Sequence, residues 1–285
     1  MDILGRSLTE GISGGHTMRA LAVINPGNPT GGCLSEDNAK QVVEFCVENN
    51  LILMADEVYQ ENIWADGKSF TSFKKIAADM GLVGSGPDDY AGLQLVSFHS
   101  VSKGFTGECG RRGGYFELVG FDADVKAQLY KSASISLCPN VLGQCMVGLM
   151  VNPPKPGDAS YDLYVAERDG ILSSLKRRAT KLANAFNAME GVSCKPPEGA
   201  LYIFPQFTLP AGVAAAAAGV GMEPDAFYCT RMLDATGVVV VPGSGFGQEE
   251  GTFHFRTTIL PPEDEVDTVV EHLRTFHNAF LAEYA

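Results

Sequence analysis

SFHSVSKGFTGECGRRGGYFE, residues 97–117, sets one lysine between Ser100 and Ser102 on one side and a pair of arginines on the other, with glycines throughout. The apolar run before it, residues 93–98, has the length of a buried strand. The stretch after Lys103 lacks the three- and four-residue apolar spacing of a helix. Lys103 therefore falls in a turn just past a strand, where an amine becomes enclosed. Residues 114–119 read as the next strand.

On the N-terminal side lie a strand over 21–24 ending at Asn25, a helix over 37–49 opened by Ser35 as a cap, and a strand over 51–55. Together they form a β-α-β unit, which requires a parallel sheet. Residues 1–18 show neither an apolar signal core nor an arginine-rich transit pattern, so the chain enters its first strand as if in the middle of a domain. A loop rich in Gly, Asp and Pro spans 84–92, and residues 122–150 are mostly helical with a break near Pro139. NPPKPGDAS at 152–160 punctuates the chain and places a domain boundary between residues 1–160 and 161–285.

A long helix comes next, because Ile171, Leu175, Ala179, Leu182, Phe186 and Met189 recur at three- and four-residue intervals. Strands over 201–204, 238–241 and 252–259 then alternate with helices over 225–235 and 263–284. The last helix carries Val266, Leu273, Phe276 and Phe280 on one face. The segment AGVAAAAAGVG at 211–221 is an alanine-favoured helical turn or a loop. The second half is thus a smaller α/β layer.

Composition narrows the function classes. The chain has 285 residues, 45% hydrophobic and 19% charged, with 34 acids against 21 bases and a net charge of −13. That balance opposes nucleic acid or an anionic membrane as a partner. Its apolar runs are strand-sized, well short of the roughly 20 residues of a membrane helix. Seven scattered cysteines without a C-x-x-C pair suit a reducing compartment such as the cytoplasm, and no histidine motif of a metal site occurs. The final residues, AEYA, carry no peroxisomal address.

Four segments place polar residues where an apolar strand has just ended, the edge at which parallel α/β sheets build their sites. They are NPGNPTGG (25–32), ADEVYQEN (55–62), SFHSVSKGF (97–105) and FHFRTTILPP (253–262). The first is a tight connection unless Asn28 turns its amide to a ligand. In the second, Asp56 and Glu57 are either a solvated strand end or a buried carboxylate with a cationic partner. At Lys103 a surface loop and two chemistries compete. S-x-x-K over 100–103 matches a serine hydrolase signature, but its S-D-N and K-T-G companions are missing. GSGFGQ at 243–248 lacks the G-x-G-x-x-G spacing of a dinucleotide loop and precedes a strand. The remaining chemistry is a lysine that bonds pyridoxal phosphate as an imine, with burial and Arg111 or Arg112 favouring its neutral amine.

These segments, in this order and joined by GECGRRGGY, VPGSGFGQ and TILPPEDE, resemble the fold type I pyridoxal-phosphate aminotransferases of classes I and II, most closely their eukaryotic alanine aminotransferase branch. The resemblance runs over nearly the whole chain. It implies an incomplete, mostly parallel large-domain sheet plus a smaller C-terminal α/β domain. It further implies Lys103 as the cofactor lysine and proton shuttle, Asp56 on the pyridine nitrogen, and Asn28 and Tyr59 on the phenolic oxygen. Ser100 and Arg112, with Ser102 as a further candidate, would take the phosphate, and Arg256 the substrate carboxylate. Arg112 is preferred to Arg111 because it precedes Gly113 and Gly114, as in the family pattern. The family's amino-terminal half, with its phosphate-cupping loop and ring-stacking aromatic, has no counterpart here, so the chain resembles the C-terminal part of such an enzyme. The expected reaction joins L-alanine and 2-oxoglutarate in a homodimer, with glyoxylate as the competing acceptor and a silent binding fragment as the other alternative.

Overall fold

The structure, a computed structural model, describes residues 2–83 and 92–285, so most of the loop expected over 84–92 lies outside the described residues. The chain divides into two compact units. The first comprises Met1–Pro26, Cys33–Glu61 and Ser69–Asp162, and the second Gly27–Gly32, Asn62–Lys68 and Leu163–Ala285.

The first unit is a sheet of four strands in the order β1 (Ala20–Ile24), β2 (Ile52–Asp56), β3 (Leu95–Ser100), β4 (Gly114–Val119). The first three run parallel and β4 is antiparallel to β3. Helix α2 (Glu36–Glu48) joins β1 to β2 where the sequence predicts it. Ser35 caps it by accepting from Asn38 N–H at 3.1 Å, and Glu36 and Asp37 add acid to the first turn. Its Ala39, Val42, Val43 and Cys46 pack on Leu53 and Ala55 of β2 and on Leu95 of β3. Helix α3 (Phe73–Asp79) closes the same core with Phe73, Ile76 and Ala77.

Helix α1 (Asp2–Ser13) is a departure from the sequence reading, which enters a strand directly. Ile3, Leu4, Leu8 and Ile12 have helical spacing, but Gly5 and Gly11 dilute the signal, and none of its residues is buried. The segment 122–150 forms α4 (Ala123–Ile135) and α5 (Val141–Val151), interrupted around Pro139.

In the second unit, α6 (Tyr161–Asn187) buries Leu175, Ala179, Leu182, Ala183 and Phe186. A small antiparallel sheet runs in the order β5 (Val192–Ser193), β7 (Gln206–Phe207), β9 (Phe253–Thr258), β6 (Tyr202–Ile203), with β8 (Val241–Pro242) also on β9. The strand predicted over 238–241 pairs only from Val241 onward, because Gly237 caps the preceding helix in a left-handed turn and Val239 faces solvent. The alanine-rich segment is α7 (Ala211–Gly219), and α8 (Pro224–Thr236) and α9 (Val266–Tyr284) complete the unit. Tyr228, Phe207, Phe255 and Phe280 form its aromatic centre, where Tyr228 Oη donates to His277 Nδ1 at 2.9 Å and His277 Nε2 donates to Glu190 O at 2.7 Å. Gly31, in the Gly27–Gly32 segment of this unit, has φ +68°, and a Cβ on it would meet Tyr202 O at 2.8 Å. Gly31→Ala is expected to cost roughly 2 kcal/mol of stability through that clash and the left-handed backbone, read as a lower denaturation midpoint.

Glu57 is buried and its Oε1 accepts from Phe73 N–H at 2.8 Å, tying the end of β2 to the start of α3. Burial pushes its carboxyl up to about 7, with Asp56 and Glu117 adding repulsion against the backbone bond's opposing pull. Its contribution to stability is complete below about 4.5 and is lost as pH rises through about 7. Glu57→Gln, which keeps an acceptor for Phe73, is expected to flatten this loss, on the order of 3 kcal/mol between pH 5 and 8, in urea unfolding at the two pH values.

Candidate active site

In the first unit, the carboxyl ends of β2 and β3 lie side by side, with Asp56 opposite Phe98 in the parallel register. Asp56 is half-buried. Its Oδ1 accepts from Val58 N–H at 3.3 Å, and its carbonyl accepts from Asn25 N–H at 3.0 Å, which ties in the end of β1. Tyr59 lies in the turn beyond β2, 2% exposed. Lys103 Nζ stands 5.8 Å from the centroid of its ring. The structure thus joins the lysine and tyrosine that the sequence assigns to one site, and Lys103 is half-buried within this unit.

The turn that carries Lys103 is pinned along its length. Val101 N–H donates to Gly113 O at 3.2 Å and Glu108 N–H to Val101 O at 2.9 Å. Thr106 Oγ1 lies 2.9 Å from Lys103 O and 3.1 Å from Val101 O. Ser100 and Ser102 also come together: Ser100 Oγ accepts from Ser102 N–H and donates to Gly113 O, both at 3.1 Å.

Arg112 adopts a left-handed backbone at φ 53° that ends a 3-10 turn over Cys109–Arg111, and its Nη1 donates to Cys109 O at 3.0 Å. It is exposed, as is Arg111, which pairs with Glu108 at 3.5 Å. Of the two carboxylates left open by sequence, Glu57 is the buried one, and the partner found for it is a backbone N–H rather than a cation.

His99, one residue before Ser100, is buried with its Nε2 2.8 Å from Gln60 Nε2. The amide donates, so the imidazole proton sits on Nδ1, which among the described residues meets no hydrogen-bond partner. Burial lowers its pKa, partly opposed by the charge of Asp56, and the ring stays neutral near pH 7. Sequence reading does not reveal Gln60, whose link to His99 spans 39 positions.

In the second unit, Arg256 Nη1 donates to Asn28 Oδ1 at 2.9 Å. Two rings lie against the guanidinium, Tyr202 at 4.5 Å and Phe246 at 5.1 Å from its Cζ. Asn28 sits in a closed loop, with Gly27 N–H donating to Gly32 O at 2.8 Å and Gly31 N–H to Gly27 O at 3.0 Å.

The residues present suit pyridoxal phosphate. Lys103 offers an amine for an aldehyde, and Asp56 on the neighbouring strand end offers a carboxylate for a ring nitrogen. Ser100, Ser102 and Arg112 offer hydroxyls and a planar guanidinium of the kind that binds phosphate.

The sequence pattern of the family described as aminotransferase class I and II matches residues 1–273. A probable mitochondrial alanine aminotransferase of Dictyostelium discoideum is 55% identical over 282 residues, 99% of this chain and 52% of that protein. Glutamate–glyoxylate aminotransferase 1 of Arabidopsis thaliana is 51% identical over 281 residues, 99% of this chain and 57% of that protein. The chain spans about half the length of the curated relatives it matches. Among solved structures, an aminotransferase from Escherichia coli superposes with a TM-score of 0.72 at 25% identity, covering 95% of this chain and 61% of its own. The chain belongs to the class I and II aminotransferase family, and its α/β architecture is that family's fold type I.

Proposed function

We propose that this chain carries the cofactor lysine and the substrate arginine of a pyridoxal-phosphate-dependent transaminase that moves the amine of L-alanine to 2-oxoglutarate, giving pyruvate and L-glutamate. The observation that carries the reading is the placement of Lys103 over the buried ring of Tyr59, beside a strand end that carries Asp56. In the same reading, residues 1–160 are the C-terminal portion of a large cofactor-binding domain and 161–285 a small domain. The complete enzyme works as a homodimer in the cytoplasm or, as the name of the Dictyostelium relative favours, the mitochondrion.

Bound pyridoxal phosphate supplies an electron-withdrawing ring for the electron pair left at the substrate Cα. Lys103 would hold the cofactor through Nζ, and that same nitrogen, as a free amine, would take the proton from the substrate Cα. Asp56 keeps a proton on the ring nitrogen by ion pairing. Tyr59 and Asn28 donate to the phenolic oxygen. Ser100 and Ser102 give the phosphate their hydroxyls. Arg112, whose guanidinium donates to the Cys109 carbonyl, would pair its positive charge with the phosphate. Arg256, fixed by Asn28 and two rings, presents a planar fork to the substrate carboxylate.

The identity of the Arabidopsis relative favours glyoxylate as a second acceptor, and comparing product formation with each oxo acid decides between the two. The chain incubated with pyridoxal phosphate, reduced with borohydride and digested is expected to yield a pyridoxyl adduct on the peptide that contains Lys103. Lys103→Ala is expected to abolish that adduct and to lower amino transfer by about a hundredfold to ten-thousandfold. An adduct that persists in Lys103→Ala, or a native chain that forms none, defeats the assignment and leaves the silent-fragment reading.

A further inference from the structure

Asp225 is a buried carboxylate that the site above does not use. It lies in the first turn of α8, is 1% exposed, and accepts three hydrogen bonds. Ala226 N–H at 2.9 Å is local to the helix. The other two, Ser244 N–H at 2.6 Å and Gln248 Nε2 at 3.0 Å, come from the loop that joins β8 to β9. One carboxylate therefore holds both ends of residues 244–248. A buried charge is tolerated only with such a set of donors.

The loop has a second anchor on β9. Gln248 spends its amide N–H on Asp225, so its Oε1 accepts from His254 Nδ1 at 3.0 Å. Burial lowers the His254 pKa against the pull of Asp225, which suits a neutral ring. That ring stacks on Phe204 at 4.8 Å and 5°, and Phe204 meets Phe246 edge to face at 5.8 Å and 90°. Phe246 in turn lies 5.1 Å from the Arg256 guanidinium. Gly243 shows how tightly the loop is seated: a Cβ there would overlap Gln248 Oε1 and come within 2.8 Å of His254 Cβ.

A carboxylate that only capped α8 would have no bonds beyond it. Here two of three bonds end on the loop whose aromatic ring rests on Arg256. We propose that Asp225, with Gln248 and His254, is a positioning residue for Arg256: the network fixes the loop that carries Phe246, and through that ring the plane in which the guanidinium meets a substrate carboxylate. The inference rests on Arg256 being the carboxylate-binding residue proposed above.

The test uses the full chain loaded with pyridoxal phosphate. Propionate, which has the carboxylate and carbon chain of alanine but no amine, is titrated by calorimetry, and cofactor uptake is followed in parallel by visible absorbance. Arg256→Gln is expected to remove propionate binding. Asp225→Asn and Phe246→Leu are each expected to weaken it about tenfold, the scale of a lost cation–π contact, with cofactor affinity within about twofold of the unaltered chain. Should Asp225→Asn lose helical circular dichroism, Gln248→Leu carries the same comparison. Propionate binding unchanged in Asp225→Asn or Gln248→Leu and in Phe246→Leu, while Arg256→Gln loses it, overturns the network but leaves Arg256 in place. A parallel fall in cofactor and propionate affinity also overturns it, by revealing a merely structural role. Propionate binding that survives Arg256→Gln removes the substrate role of Arg256 itself, and the network's role with it.

Discussion

The pairing of β2 with β3, Leu53 with Leu95 through Asp56 with Phe98, determines where the polar groups at the end of this sheet stand. Side chains alternate faces along a strand, so a slip of one residue would turn Leu53 and Ala55 away from the core and drive Met54 into it. Leu53, Ala55 and Leu95 are all 0% exposed and packed against α2 and α3. Burial of that face at roughly 25 cal/mol per Å² makes the slip prohibitive. The apolar contacts of one face thereby hold Asp56 beside the start of the Lys103 turn.

The second unit applies the same alternation to β9. Phe255 points into the aromatic centre, 5.5 Å from the ring of Phe186 and 5.6 Å from that of Phe207. Its neighbours His254 and Arg256 therefore share the opposite face, where polar and aromatic side chains replace the aliphatic core. A guanidinium held against two rings loses less solvation than one buried among aliphatic groups.

Elements whose signals are local are the ones the sequence discloses. The apolar runs of β1, β2 and β3, the Ser35 cap with its acidic first turn, and the Leu175-to-Phe186 stripe of α6 each lie within a short window. The family wording around Lys103 and Arg256 is equally local. Contacts across sequence stay hidden: Arg256 to Asn28 spans 228 positions, and Asp225 to Ser244 joins the start of a predicted helix to the GSGFGQ segment. The antiparallel sense of β4 is invisible for a related reason. A strand's apolar pattern shows which face it buries, while its direction depends on the connection, here a turn pinned by Val101 to Gly113.

Most of the polar groups assigned to the cofactor or substrate already have a partner within the chain. Ser100 Oγ bonds Gly113 and Ser102, Arg112 bonds Cys109, and Asn28 bonds Arg256. Binding an anion at Ser100 exchanges a neutral hydrogen bond for a charge-assisted one, whereas the bond from the Arg112 guanidinium to Cys109 O is already charge-assisted and an anion adds an opposite charge to it. Arg112 is exposed and engaged with its own turn, whereas Arg256, in the reading proposed above, keeps its rings and Asn28 while its fork engages a carboxylate. In that proposed assignment a phosphate is taken by a side chain that moves, Arg112, and a carboxylate by one that is held still, Arg256.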